Sequence, residues 1–191
     1  PSVAGGTAGA IASNKYPFLS HVAAIGEATG AIENWDAFLA RGAGVAQAQV
    51  DARAATNSPA DPGVLFFSSG STAMPKGILS SHRGVTLQLW RWPKWYAAKP
   101  GELRMWSANG FFWSGNFAMA LGGSLTRGGS LVLQSTFNAA EALTLMEREK
   151  VTFLNAWPHQ WEQLLAAPNW QNADLSSLVY MDYKSPIAQH P

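Results

Sequence analysis

The chain has no cysteine and few charges, and each shortage excludes something. Without thiols there is no disulfide framework and no cysteine–zinc site, and the composition suits a reducing cytosol. Charged residues are only 13 % of the 191 positions and the formal net charge is +1, which gives no broad basic footprint for nucleic acid. No apolar run approaches the ~18 residues that span a bilayer. The N-terminus lacks a charged stretch followed by an apolar core, so no secretory signal is visible. No G-x-S-x-G nucleophile elbow occurs, and no His, Asp or Glu cluster has metal-ligand spacing. The acids are scattered over expected helix faces, and no residue stands out as a catalytic acid, base or nucleophile.

What the chain does have is apolar residues, 47 % of the total, enough for one sizeable core. With so little charge, much of its surface reads as meant to be covered. It opens on Pro1 and stops at His190-Pro191, and we expect it to be a piece of a longer protein.

Residues 1–62 read as a leading segment. A Gly/Ala/Ser-rich start precedes a buried strand from Phe18 to Gly26. A short helix from Trp35 to Leu39 is capped by Asn34, a second helix runs from Ala43 to Ala55, and a connector punctuated by Pro and Gly covers 56–63. Residues 63–191 read as a hairpin followed by βα units. Val64–Phe67 predicts a buried strand and Gly77–His82 a second strand. Arg83–Ala98 predicts a helix that Pro93 breaks or kinks. Strands are expected at 103–107, 130–133, 151–154 and 178–181, with helices at 114–121, 138–150 and 158–166 between them. Asn138 and Glu141 have capping-box spacing; Ala139, Ala142, Leu143 and Met146 share one face, while Glu141, Thr144 and Arg148 point away. In the last helix Trp161, Leu164 and Leu165 are expected on one side. Strands alternating with helices predict an α/β fold with a largely parallel sheet flanked by helices. The repeat Gly122-Gly123-Ser124-Leu125 and Gly128-Gly129-Ser130-Leu131 reads as punctuation between helix and strand.

The densest chemistry is Phe67-Ser68-Ser69-Gly70-Ser71-Thr72-Ala73-Met74-Pro75-Lys76-Gly77. Four hydroxyls, a flexible glycine and a lysine in one turn suit the phosphates of a nucleotide: backbone N–H groups and hydroxyls donate to phosphate oxygens, and the lysine adds a point charge. The commoner loop, G-x-x-x-x-G-K-[ST], is excluded by Pro75 and Gly77, and it would open a helix where a strand is expected here.

This loop resembles the phosphate-binding signature of the adenylate-forming (ANL) superfamily, which includes acyl-CoA and aryl-CoA ligases, nonribosomal peptide adenylation domains and luciferases. Ser69, Gly70, Ser71, Thr72, Pro75, Lys76, Gly77 and the pair Ser81-His82 fit its pattern. Ser68 replaces the usual threonine, and Ala73 replaces a glycine, removing the freedom for φ > 0 there. The resemblance extends to about residue 165. It implies part of the large N-terminal domain of an acyl-CoA synthetase-like fold, with the C-terminal lid domain absent. It also implies an ATP-dependent carboxylic acid:CoA ligase working through an acyl adenylate, in the cytosol and in fatty acid metabolism. ATP, Mg²⁺ and coenzyme A would be its substrates and cofactors, and the remainder of its own chain its partner, with a homo-oligomer left open. Ser69, Gly70, Ser71, Thr72 and Lys76 would contact the β- and γ-phosphates. The segments carrying the metal-binding glutamate, the ribose-binding aspartate and the catalytic lysine are missing, so these residues alone are expected to be inert. Alternatives are an adenylation domain that loads a carrier protein and a non-catalytic nucleotide-binding module.

Two strand-to-helix corners complete the candidates. Ligands in open α/β sheets bind just beyond the carboxyl ends of strands. Asn109-Gly110-Phe111-Phe112-Trp113-Ser114-Gly115-Asn116 and Asn155-Ala156-Trp157-Pro158-His159 both occupy such places. By the resemblance, Phe112, Trp113, Ser114 and His159 would line the acyl pocket; the alternative is plain core aromatics and an ordinary polar corner. Trp90-Arg91-Trp92-Pro93-Lys94-Trp95-Tyr96 admits three readings: tryptophans on the sheet with the cations in solvent, a membrane or partner surface, or stacking on single-stranded nucleic acid.

Overall fold

The computed structural model describes residues 7–68, 74–180 and 186–191. The chain divides into two units, Pro1–Asn57 and Ser58–Pro191.

In the first unit, Asn34 has extended backbone and its side chain accepts from the Asp36 amide at 2.8 Å, which opens helix α1 (Trp35–Ala40). A 3₁₀ turn (Arg41–Gly44) follows, then helix α2 (Gln47–Ala55), which starts later than expected because Gly42 and Gly44 sit in the tight turn. The strand expected over 18–26 shrinks to β1 (Ala23–Ala24), paired in parallel with β2 (Glu33–Asn34). Phe18 is 98 % exposed and Ile25 84 %, so the apolar run finds no second layer among the described residues of this unit. Arg41 ties the unit together, donating from Nε to Glu33 at 3.0 Å and from Nη2 to the Gly9 carbonyl at 3.0 Å.

The second unit begins with an antiparallel hairpin, β3 (Pro62–Phe67) and β4 (Gly77–Ser81). The expected burial of β3 is not met: Leu65 and Phe67 are exposed, because each strand of the hairpin has only the other as its described partner. Ser81 caps helix α3 (His82–Trp95), its hydroxyl accepting from the Gly84 amide at 3.2 Å. Pro93 does not end this helix. Its missing N–H frees the Leu89 carbonyl, which lies 3.0 Å from the Thr126 hydroxyl. The helix runs on to Trp95, two residues later, and is closed at Ala97, left-handed at φ 53 without being glycine. The Ala98 and Ala97 amides return to Pro93 and Lys94 at 3.0 Å each, a Schellman closure.

Three parallel strands form the sheet in the order β6–β5–β7: β5 (Arg104–Ser107), β6 (Ser130–Leu133) and β7 (Phe153–Leu154), with Tyr180 bridging to Phe153. Central β5 is buried on both faces, as parallel strands flanked by helices require. Trp106 points into one core with Val132, Leu143, Met146, Leu154 and Leu164; Met105 points into the other with Leu103, Ala98 and Ala120. Helix α6 (Ala139–Arg148) has the expected cap, Asn138 accepting from the Glu141 amide at 3.0 Å. Ala142, Leu143 and Met146 are buried, while Glu141, Thr144 and Arg148 are exposed. In helix α7 (Pro158–Leu165), Leu164 is buried but Leu165 faces solvent, against expectation. Of the two Gly-Gly-Ser-Leu copies, only the second is punctuation. The first lies inside a helix, where a Cβ on Gly122 would run into the Leu89 side chain of α3.

The aromatic run around Pro93 splits between readings. Tyr96 packs on Phe153 with ring centroids 4.4 Å apart, and Trp92 stacks on Tyr96 at 6.0 Å. Trp90 and Trp95 stay exposed, and the Lys94 ammonium sits 3.4 Å above the Trp90 ring. No described helix is long and apolar enough to cross a membrane.

Candidate functional site

The hairpin holds its loop at a narrow neck. Phe67 faces Gly77 in the β3–β4 register, and beyond that pair the Ser68 amide donates to the Lys76 carbonyl at 3.0 Å. The Lys76 amide in turn donates to the Ser68 hydroxyl at 3.2 Å. The lysine side chain is exposed at this neck. Ser69, Gly70, Ser71 and Thr72 lie outside the described residues. The flanks are as expected, strand on both sides and no helix opening at Lys76. Ser81 and His82 serve the turn into α3: the His82 amide donates to the Asp61 carbonyl at 3.0 Å, and a Cβ on Gly63 would stand 2.8 Å from the His82 nitrogen.

The two corners meet at the carboxyl ends of adjacent strands β5 and β7. After β5, the chain turns at Asn109–Trp113 into α4 (Ser114–Asn116), a π turn (Phe117–Gly122) and α5 (Gly123–Leu125). After β7 it turns at Asn155–Trp157 into α7, where the Trp157 amide donates to the Gln160 side chain at 2.8 Å. The Trp113 and Trp157 rings lie 4.6 Å apart, tilted by 46°. Each is about two-fifths exposed (41 % and 39 %), so together they offer an apolar surface open on one side. Glycine makes the arrangement fit: a Cβ on Gly115 would overlap the outer edge of the Trp113 ring. The first β strand of the hairpin reaches the same helix, Phe66 meeting Phe117 edge-on at 5.8 Å.

The two corners are joined by a polar network that sequence reasoning missed. Asn116 is completely buried. Its Nδ2 donates to the Asn109 carbonyl at 2.6 Å, and its Oδ1 accepts from the Ser107 hydroxyl at 3.0 Å and from Asn155 Nδ2 at 2.8 Å. The Ser107 hydroxyl also accepts from the Asn109 amide at 3.2 Å. One side chain thereby joins the end of β5, the first corner and the second corner. None of the four members titrates. Of the expected pocket residues, Trp113 is part of this constellation, with Ser114 beside it opening α4. Phe112 is 84 % exposed and turned outward, and His159 is exposed in the first turn of α7. Trp157 takes the place facing Trp113 that the sequence reading had not assigned.

The family model for AMP-binding enzymes matches residues 17–185. The chain belongs to this family. It is 34 % identical over 150 residues to a 3-[(3aS,4S,7aS)-7a-methyl-1,5-dioxo-octahydro-1H-inden-4-yl]propanoyl:CoA ligase of Mycobacterium tuberculosis, covering 76 % of this chain and 28 % of that one. It is 31 % identical over 117 residues to a feruloyl-CoA synthase of an Amycolatopsis species, covering 60 % and 23 %. Among solved structures, a luciferase-like enzyme of Zophobas morio superposes with a TM-score of 0.65 at 25 % identity, over 83 % of this chain and 35 % of that one. The chain therefore spans about a quarter of the length of these curated relatives. Its α/β fold is that of the N-terminal domains of adenylate-forming enzymes.

Proposed function

We propose that these residues form the phosphate hairpin and part of the acid pocket of an ATP-dependent carboxylic acid:CoA ligase working in the cytosol. The observation that carries this is the hairpin neck: a hydroxyl-rich loop pinched between antiparallel strands by the Ser68–Lys76 pair, with an exposed lysine at its mouth, in a member of the AMP-binding family. Ser69, Gly70, Ser71, Thr72 and Lys76 would hold the β- and γ-phosphates. An acid carboxylate would attack the α-phosphorus while the bond to pyrophosphate breaks; the thiol of coenzyme A would then displace AMP from the acyl carbon. Such a reaction needs placement and charge stabilisation more than a protein nucleophile. Among the described residues no three acidic or imidazole side chains converge on a metal site.

Trp113 and Trp157 would wall the acyl group. Both similar ligases named above act on ring-bearing acids, the first on a saturated bicycle and the second on an aryl ring, and the half-exposed indole pair offers an apolar surface on which the broad face of either could pack. The test is acid-dependent ATP–pyrophosphate exchange by the full-length protein. Lys76→Met should raise KM for ATP about ten- to hundredfold, the worth of a charge-assisted bond, and leave KM for the acid in place. An unchanged KM for ATP would remove the hairpin from the reaction. The 191 residues alone should show no exchange, and acid-dependent turnover by them would refute that.

A further inference from the structure

We propose that Asn116 is a positioning residue that holds Trp113 and Trp157 at their working separation and so sets the affinity for the acid; the second clause rests on the reading above. Asn116 cannot touch the acid, being fully buried. What it does is join the two corners through the shortest of their described bonds, beside a longer one from Asn109 Nδ2 to the Asn155 carbonyl at 3.5 Å. Its Oδ1 receives Asn155, two residues before Trp157, and its Nδ2 holds the Asn109 carbonyl, four residues before Trp113. The Phe117 amide, next in sequence, donates to the Trp113 carbonyl at 3.0 Å and fixes the backbone under the first indole. A buried carboxamide is the group for this task, because it offers donors and an acceptor at once without a charge. Apolar replacement would strand Asn155 Nδ2, the hydroxyl hydrogen of Ser107 and the Asn109 carbonyl, and the two corners would move apart to reach water.

Two variants of the full-length protein test this: Asn116→Leu, close in volume, and Asn155→Ala, which removes the Asn155 Nδ2–Asn116 Oδ1 bond and keeps the rest of the network. Two indoles this close couple their transitions and give a paired far-UV circular dichroism signal, assigned by its loss in Trp113→Phe. Expected in either variant is a fall of that signal by at least about half and a rise of about tenfold or more in KM for the acid, with KM for ATP unchanged. If Asn116→Leu does not fold, Asn155→Ala decides. An undiminished signal in a folded variant overturns the proposal whatever the kinetics. A diminished signal with an unaltered KM for the acid upholds the positioning and overturns the acid-pocket reading instead.

Discussion

Adjacent glycines at 128 and 129 make opposite demands, and replacing each by alanine separates them. Both lie in the turn from α5 to β6. Gly128 has φ +64, and nothing stands within 4 Å of where its Cβ would be. Alanine there meets only the cost of a left-handed backbone, roughly 1–2 kcal/mol, reduced by the stiffer unfolded chain by about 0.4–1 kcal/mol. The net loss is about 1 kcal/mol, and Asn, which tolerates this region, should recover most of it. Gly129 is crowded instead. A Cβ would overlap the Leu103 carbonyl oxygen and lie 3.1 Å from both its carbon and the Ser124 oxygen. These are backbone atoms already engaged: Leu103 O accepts from the Ser130 amide at 2.9 Å and Ser124 O from the Gly129 amide at 2.9 Å. No rotamer change relieves the clash. Overpacking at roughly 1–3 kcal/mol adds to one broken ladder bond at about 1 kcal/mol, or about 3 kcal/mol in all. In urea, with a slope of roughly 2 kcal/mol per molar, the midpoint should fall by about 1.5 M for Gly129→Ala and by about 0.5 M for Gly128→Ala. Unfolding of the full-length protein followed by circular dichroism measures both. Equal losses at the two positions, or no recovery with Gly128→Asn, would refute the reasoning.

Further outcomes follow from the ends of helices. Ala97→Gly should stabilise by about 1 kcal/mol, since it relieves a left-handed alanine in a closure whose bonds are all backbone; an unchanged thermal midpoint counts against it. Lys150, also left-handed at φ 49, should gain less as glycine, because its ammonium pairs with Asp174 at 2.9 Å. Hydrogen bonds from the Ser176 hydroxyl, then Lys150, hold the Asp174 carboxyl well below the ordinary range. A depressed folded-state value stabilises above the ordinary carboxylate pKa and is lost as the carboxyl is protonated. The thermal midpoint should therefore decline as pH falls below about 5, and Asp174→Asn should flatten that decline. An equally steep decline in Asp174→Asn removes this residue from the account.

Some of the architecture could be read directly from residues. Asn34 and Asn138 announce their helices because a cap needs only a short acceptor at the right place. The faces of α6 follow from its 3.6-residue period, and the strands flanking the loop follow from Pro75 and Gly77. The termini at Ala97 and Lys150 were not legible, since left-handed closure there is imposed by burial of the following residues, Ala98 and Val151, and carries no glycine signal. Asn116 was hidden for a different reason. It lies in a run of small and aromatic residues, and its partner Asn155 is 39 positions away, so only the pairing of β5 with β7 reveals its task. Phe112 and Trp113 look alike as a sequence. Each ring lies over a glycine two residues away, Trp113 over Gly115 and Phe112 over Gly110, and only Trp113 also finds a ring from the second corner to pack against.

The π turn at Phe117–Gly122 has a consequence for how this region tolerates change. Such a turn holds one residue more than an α-helix would, so the helix carries a removable register spacer. Excising one residue there would swing its two ends by about 100° relative to each other. Ala120 and Ser124 could keep their seats against the sheet only if Asn116 rotated out from between the strands. The surplus residue thus lets the end under the indoles be set independently of the end that completes the core, and a length change confined to this turn would rewrite the corner while leaving the rest of the unit in place.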